Sequence, residues 1–152
     1  MNIFGSNARH GALALALLLS ACTSPLPNKD AMGASDAARQ ALACALPTNC
    51  VDSLSGGQMP LQYTGTPAQA MATLQATLAM FPEARIVRSE YLALETIFTT
   101  PAGFQDEVEF RIDAAAQRID FRSRSLFGLF DFGKNRSRMR EFAARFEQQQ
   151  GR

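Results

Sequence analysis

The densest run of side chains able to do chemistry is FRSRSLFGLFDFGKNRSRMR, Phe121 to Arg140. Arg122 leaves one element and Arg136 enters the next. Asp131 and Asn135 stand between them as turn-capping types, and Gly128 and Gly133 permit a tight path. A strand end, a glycine-bearing turn and a helix N-terminus with arginines can hold an anion, because backbone N–H groups and bidentate guanidinium forks converge there. Two other readings fit the same residues. In one, Asp131 pairs with Arg122 or Arg136 and pins the turn. In the other, Phe127, Leu129, Phe130 and Phe132 form an apolar surface that touches a membrane. Those four side chains would fit a core equally well, so residue types and spacing leave all three readings open.

Catalytic alternatives are narrowed by where the chain is expected to reside. Its N-terminus, MNIFGSNARHGALALALLLSACTS, places Arg9 and His10 before an uncharged apolar run, Gly11 to Leu19. A lone spanning helix needs roughly 20 apolar residues, so this shorter run fits a secretory signal. Leu19-Ser20-Ala21-Cys22 resembles a bacterial lipobox, in which the cysteine thiol receives a diacylglyceryl group before cleavage. The expected mature chain starts at a lipidated Cys22 and is held on a membrane by acyl chains, each buried CH₂ contributing about 0.8 kcal/mol. Thr23 is not the aspartate that retains many lipoproteins in the inner membrane, which favours the outer membrane, facing the periplasm.

His10 is the only histidine, and it would leave with the signal. Ser-His-Asp and Cys-His catalysis are then excluded, as is a histidine-ligated metal. Neither a metal nor a cofactor is called for. Cys44 and Cys50, in CALPTNC, remain. In an oxidising compartment they are expected to pair, closing a short loop at a gain of about 2–3 kcal/mol, although two separate buried thiols would also fit. An enzyme without histidine would have to use carboxylates such as Asp106, Glu107 or Asp131, or a Ser–Lys arrangement with Lys134. That chemistry requires a perturbed pKa in a cleft, and no catalytic residue is assigned.

The formal net charge is +1, but it is unevenly spread. Glu83 to Asp113 holds seven acidic residues against three arginines, and Arg118 to Arg140 holds seven basic residues against Asp120 and Asp131. The basic block either meets a phosphate or neutralises the acidic block inside the fold. Nucleic acid is not an expected partner, since the whole protein is not basic.

The elements that position these residues follow from periodicity. The expected organisation is a signal peptide over residues 1–21, a tether over 22–43 with a possible short helix at DAARQALA, one domain over 44–148 and a tail over 149–152. LQYT gives a short strand. Thr66 is an N-cap with Pro67 at the first helical position. Ala70, Leu74, Thr77, Leu78 and Phe81 then share a helical face until Pro82. ARIVRSEYLALETIFTT is one strand, or two with a bend near Ser89-Glu90. In DEVEFRIDAAAQRIDFRSRS, a loop at Ala114–Gln117 pairs Asp113 with Arg118, Ile112 with Ile119, Phe110 with Phe121 and Val108 with Ser123. The opposite face then sets Arg111 against Asp120, Glu109 against Arg122 and Glu107 against Arg124, and a slip of one residue would scramble both faces. Met139, Phe142, Ala143 and Phe146 stripe a final helix. Arg136, Arg138 and Arg140 crowd its first turns, where the positive end of the dipole disfavours cations, so something negative must sit nearby. The order β-α-β-β-β-α gives an α+β fold, a small antiparallel sheet with helices packed on one face.

Three stretches resemble the DUF1499 family, an uncharacterised bacterial and plant family without an assigned activity. CALPTNCVDS is similar to the family's opening, two cysteines at this spacing before V-S-S. DEVEF is similar to its Asp-Asp-V-E-F strand, and RSRSLFGLFDFGKNRSR to its signature R-S-x-S-R-x-G-x-x-D-x-G-x-N-R-x-R. The resemblance runs from about Cys44 to Phe146. It adds Ser123, Ser125 and Arg138 to Arg122, Asp131, Asn135 and Arg136 as candidate anion- or partner-binding residues. Leu126 stands where the family usually has arginine, leaving Arg124 as a possible substitute, and Glu107 replaces an aspartate. The resulting expectation is a lipid-anchored periplasmic protein whose domain binds an anionic envelope component or a partner protein. The alternatives are a structural lipoprotein acting through a protein partner, and a histidine-free carboxylate or Ser–Lys hydrolase.

Overall fold

Alternation of apolar and charged residues in the central hairpin organises the whole sheet. The computed structural model describes Met1 and residues 36–55 and 57–151, so the expected signal peptide, Cys22 and most of the tether lie outside the described residues. Residues 36–40 are helical (α1). They are followed by β1 (Cys50–Asp52), β2 (Leu61–Gln62), α2 (Pro67–Leu78), β3 (Ala84–Ser89), β4 (Ala93–Thr99), β5 (Gln105–Asp113), β6 (Arg118–Ser125) and α3 (Lys134–Gln150). The sheet is antiparallel in the order β1-β6-β5-β4-β3, and β2 pairs with the start of β6.

The β5–β6 register is the one alternation requires, from Asp113 opposite Arg118 to Glu107 opposite Arg124. On one face Leu94, Phe98, Val108, Phe110, Ile112, Ile119 and Phe121 meet Leu74 and Leu78 of α2 and Met139, Phe142 and Phe146 of α3 in a single buried core. Phe142 is central to it, with ring centroids 5.0 Å from Phe110, 5.8 Å from Phe81 and 6.4 Å from Phe146. Burying each such side chain contributes about 1.5–3 kcal/mol. Helix α2 starts as its sequence dictates. Thr66 accepts from the Gln69 backbone N–H, the Gln69 side chain accepts from the Thr66 N–H in return, and Pro67 needs no donor there.

The fold is thus an α+β domain with α2 and α3 on one face of an antiparallel sheet. The order β-α-β-β-β-α gains two strands, one of them from the two-strand alternative for residues 84–100. ARIVRSEYLALETIFTT forms β3 and β4, with the Glu90 N–H donating to the Ala93 carbonyl at 2.8 Å across the bend. Residues 50–52, which carry no strand-length run of their own, add β1 to the end of β6. The packed structure also begins ahead of Cys44. Arg39 pairs with Asp120 at 3.0 Å, the Ala41 carbonyl accepts from Arg122 at 3.0 Å, and Leu42 is fully buried. Asp120 and Arg122 belong to the charged face of β6, so residues 36–43 cover the side of the sheet opposite α2 and α3.

Candidate functional site

The residues of the signature segment divide into a buried polar lock and an exposed corner. The lock starts with Asn135, fully buried at the beginning of α3. Its Oδ1 accepts from the Ser123 hydroxyl at 2.6 Å and from Arg138 Nη1 at 2.9 Å. Its Nδ2 donates to the Asn49 carbonyl at 3.1 Å and to Ser125 Oγ at 3.2 Å. All four hydrogen-bonding positions of the amide are therefore used. The Ser125 hydroxyl passes on to Asp106 Oδ1 at 2.6 Å, and Arg138 Nη2 donates to Asp106 Oδ2 at 2.6 Å. Arg138 also lies over the Phe98 ring, 4.6 Å from its centroid. The Arg138 and Asp106 side chains are only 6% and 5% exposed. A buried network this fully paired fixes one arrangement of β5, β6 and α3.

Asp131 has a different task from either pairing expected of it. Its carboxylate meets neither Arg122 nor Arg136, but accepts from the backbone N–H groups of Gly133 at 3.0 Å and Asn135 at 2.8 Å. The opening N–H groups of α3 have no partner within the helix, and a carboxylate just ahead of them supplies both hydrogen bonds and a negative charge at the positive dipole end. Asp131 and Asp106 together answer the crowding of arginines in these turns.

Arg122 is paired with Glu109 and donates to the Ala41 carbonyl. Arg124 pairs with Glu107 at 2.6 Å. Arg136, exposed, donates to the Gly57 carbonyl at 2.8 Å. The basic block therefore largely neutralises the acidic block inside the fold. Ser123, Ser125, Asn135 and Arg138 are brought together with Asp106, whereas Arg122, Asp131 and Arg136 sit in three separate contacts. Lys134 is exposed at the start of α3 and makes no ion pair among the described residues.

The exposed part is the turn between β6 and α3. Phe127, Leu129, Phe130 and Phe132 are 79%, 68%, 64% and 99% exposed, with Leu126 and, from the β4–β5 connection, Phe104 nearby. Phe104, Phe127, Phe130 and Phe132 line a cleft of about 460 Å³, which Asp106, Ser125 and Lys134 also reach. The turn is nonetheless clasped to the loop before β1. The Thr48 hydroxyl donates to the Leu129 carbonyl at 2.6 Å, Asn49 Nδ2 donates to the Gly128 carbonyl at 2.6 Å, and the Asp131 N–H donates to the Thr48 carbonyl at 3.2 Å. That loop is closed by a Cys44–Cys50 disulfide, with Cα atoms 5.7 Å apart. Gly128 takes φ +90°, which its lack of a side chain permits, whereas Phe132 takes φ +53°, a costly value for a bulky residue.

Asp52 was not among the candidates, and it stitches the disulfide loop to the sheet. Burial pushes its carboxyl pKa up, but backbone N–H donors from Cys44, Ser55 and Leu54 outweigh this and hold it below the ordinary aspartate value. The lock's acidic member was missed as a partner too, though a signal for it exists. Asp106 shares strand parity with Val108 and Phe110, so it faces the core, and a core-facing carboxylate demands a buried cation. Arg138, next to Met139 on the stripe of α3, is that cation.

Sheet, lock and corner define a small α+β domain whose signature residues hold the β6–α3 connection in one shape. The chain belongs to the DUF1499 family, described as proteins of unknown function, whose model matches residues 41–146. No curated protein and no solved structure matches the chain significantly.

Proposed function

We propose that this chain is a lipid-anchored protein of the cell envelope, tethered through Cys22 and facing the periplasm from the outer membrane. Its domain works as a binding module for an anionic envelope component, with the β6–α3 corner as its binding surface. One observation carries the reading: a rigid frame holds large apolar side chains out in solvent, at 64–99% exposure for the three corner phenylalanines. Core packing does not account for side chains that touch so little of the core. Lys134, exposed at the start of α3, reaches the cleft of the rings, and Arg136, exposed in the same turn, donates to the Gly57 carbonyl. The engagement of Arg122 and Arg138 in internal pairs moves the expected anion contact outward to these two residues.

Mass analysis of the full chain recovered from bacterial membranes tests the anchor, with Cys22→Ala as control. Acyl groups at Cys22 and membrane retention lost in the variant are expected, and unmodified Cys22 would sink the anchoring half. A thermal-shift screen of the same protein against phosphate, phospholipid headgroups and cell-wall fragments, with Arg136→Ala alongside, tests the binding half. A ligand at 100 times its Kd adds about 2.7 kcal/mol. A flat screen, together with one protein co-purifying stoichiometrically, would replace the anionic ligand by a protein partner.

A further inference from the structure

We propose that the β6–α3 corner docks on the bilayer itself, so that the domain lies against the membrane and does not hang from it. The proposal rests on the anchoring reading above and adds the surface that meets the lipid. Thirteen residues, 23–35, separate Cys22 from the described domain, and fully extended they span at most about 45 Å. The domain is therefore confined to a thin layer above the bilayer, where a modest affinity for lipid suffices to hold it down.

The corner's composition matches the interface between headgroups and acyl chains. Phe127, Leu129, Phe130 and Phe132 supply the apolar tip, and Lys134, exposed at the start of the adjoining helix, reaches the cleft of the rings, while Arg136 and Arg140 are exposed further round the helix toward residues 57–64. Lysine and arginine reach headgroups while their stems follow apolar side chains downward. Phe132 is 99% exposed, and Phe127 and Phe130 rim one cleft with it, which makes the apolar surface irregular. Fluid acyl chains fill such a surface without a shape of their own, whereas a protein partner would need a matching one. The rings are also pre-positioned: the clasp from Thr48 and Asn49, the disulfide and the Asp131 cap hold the turn's backbone before any contact is made. Among the described residues no helix is long and apolar enough to cross a membrane, so the corner would lie on the surface.

The test uses the full lipidated chain reconstituted in phospholipid vesicles. A single cysteine carrying an environment-sensitive fluorophore replaces Phe127, Leu129 or, as a control at the far edge of the sheet, Tyr91. Labels at the first two positions are expected to shift to the blue and to be quenched by lipid-borne quenchers, while the label at Tyr91 stays water-like. Adding Phe130→Ser and Phe132→Ser should abolish the shift at Phe127 without lowering Tm, since neither ring is part of the core. Replacing anionic by zwitterionic lipid should weaken the shift, and free inorganic phosphate should leave it unchanged. Acylated, vesicle-bound protein whose corner labels remain water-like would overturn the docking while leaving the anchor standing. Absence of acylation would instead overturn the reading beneath it. Shielding that rises with the density of protein on the vesicles and is absent at one chain per vesicle would assign the corner to a second copy and overturn the bilayer as occupant.

Discussion

The buried pair of Arg138 and Asp106 yields the sharpest quantitative expectation. Arg138→Met keeps an apolar stem of similar length over Phe98 and removes only the guanidinium. Asp106 Oδ1 keeps the Ser125 hydroxyl, but Oδ2 loses its donor at 2.6 Å inside a site where the carboxylate side chain is 5% exposed. Removing one member of a buried pair costs about 3–5 kcal/mol, because the other charge stays desolvated and unmatched. Loss of the cation–π contact at 4.6 Å from the Phe98 centroid adds about 1 kcal/mol. Against a domain stability of about 5–15 kcal/mol, and with a urea slope of about 1–3 kcal/mol/M, the unfolding midpoint should fall by about 2 M. Adding Asp106→Leu should recover most of the loss, since a buried pair replaced by apolar groups is often neutral or better. The assay is urea unfolding of the four proteins of the double-mutant cycle, followed by far-UV circular dichroism. If Arg138→Met costs less than about 1 kcal/mol, or if the double substitution costs the sum of the singles, the lock does not hold the fold. A fully stable Arg138→Met that had lost anion binding would go further and return the residue to the binding surface.

Other expectations follow from single residues. Replacing Cys44 and Cys50 by serine should cost about 2 kcal/mol by releasing the closed loop, read as a lower Tm. Thr96 is fully buried on the core side of β4, and its hydroxyl has no partner among the described residues. Thr96→Val should therefore raise stability by about 1 kcal/mol, as a desolvated hydroxyl is removed at constant shape. Asp52 has its folded pKa depressed below an unfolded value of about 3.9. Its stabilising contribution is thus fully present at neutral pH and is lost as the pH falls through the folded value, so the stability gap between wild type and Asp52→Asn should narrow below about pH 4. Phe132→Asn should leave Tm unchanged or raise stability by about 1 kcal/mol, because asparagine tolerates the left-handed backbone and an almost wholly exposed ring gives up no packing. A clear loss of stability there would mean that the ring packs after all.

How much of this was legible in the sequence depended on the range of the forces involved. The hairpin register could be read because strict alternation makes each residue's face a local property, and a one-residue slip would have buried Arg122 and exposed Phe121. Thr66-Pro67 and the stripe of Met139, Phe142 and Phe146 are likewise local signals. The lock was not legible as a lock. Asn135 meets Asn49 from 86 positions away and Arg138 meets Asp106 from 32; strand parity turns Asp106 toward the core, but no periodicity names the partner that it meets there. β1 escaped because a strand of three residues is specified by the edge that it completes. The loop phenylalanines could not be placed at all from composition, since an apolar side chain between two elements suits a core as well as a surface. Their exposure is set by the clasp from Thr48 and Asn49, which only the assembled chain displays.

The disulfide also fixes how the domain carries mechanical load. A pull from the N-terminal side first meets the contacts of residues 36–43, where Leu42 and the Arg39–Asp120 pair resist it. Beyond Cys44 the force passes through the sulfur atoms directly to Cys50, the first residue of β1, and residues 45–49 are left slack. Thr48 and Asn49, which hold the aromatic corner, lie within that slack loop. Tension along the chain therefore tests the pairing of β1 with β6 while bypassing the clasp, so the corner keeps its shape until the edge of the sheet itself gives way.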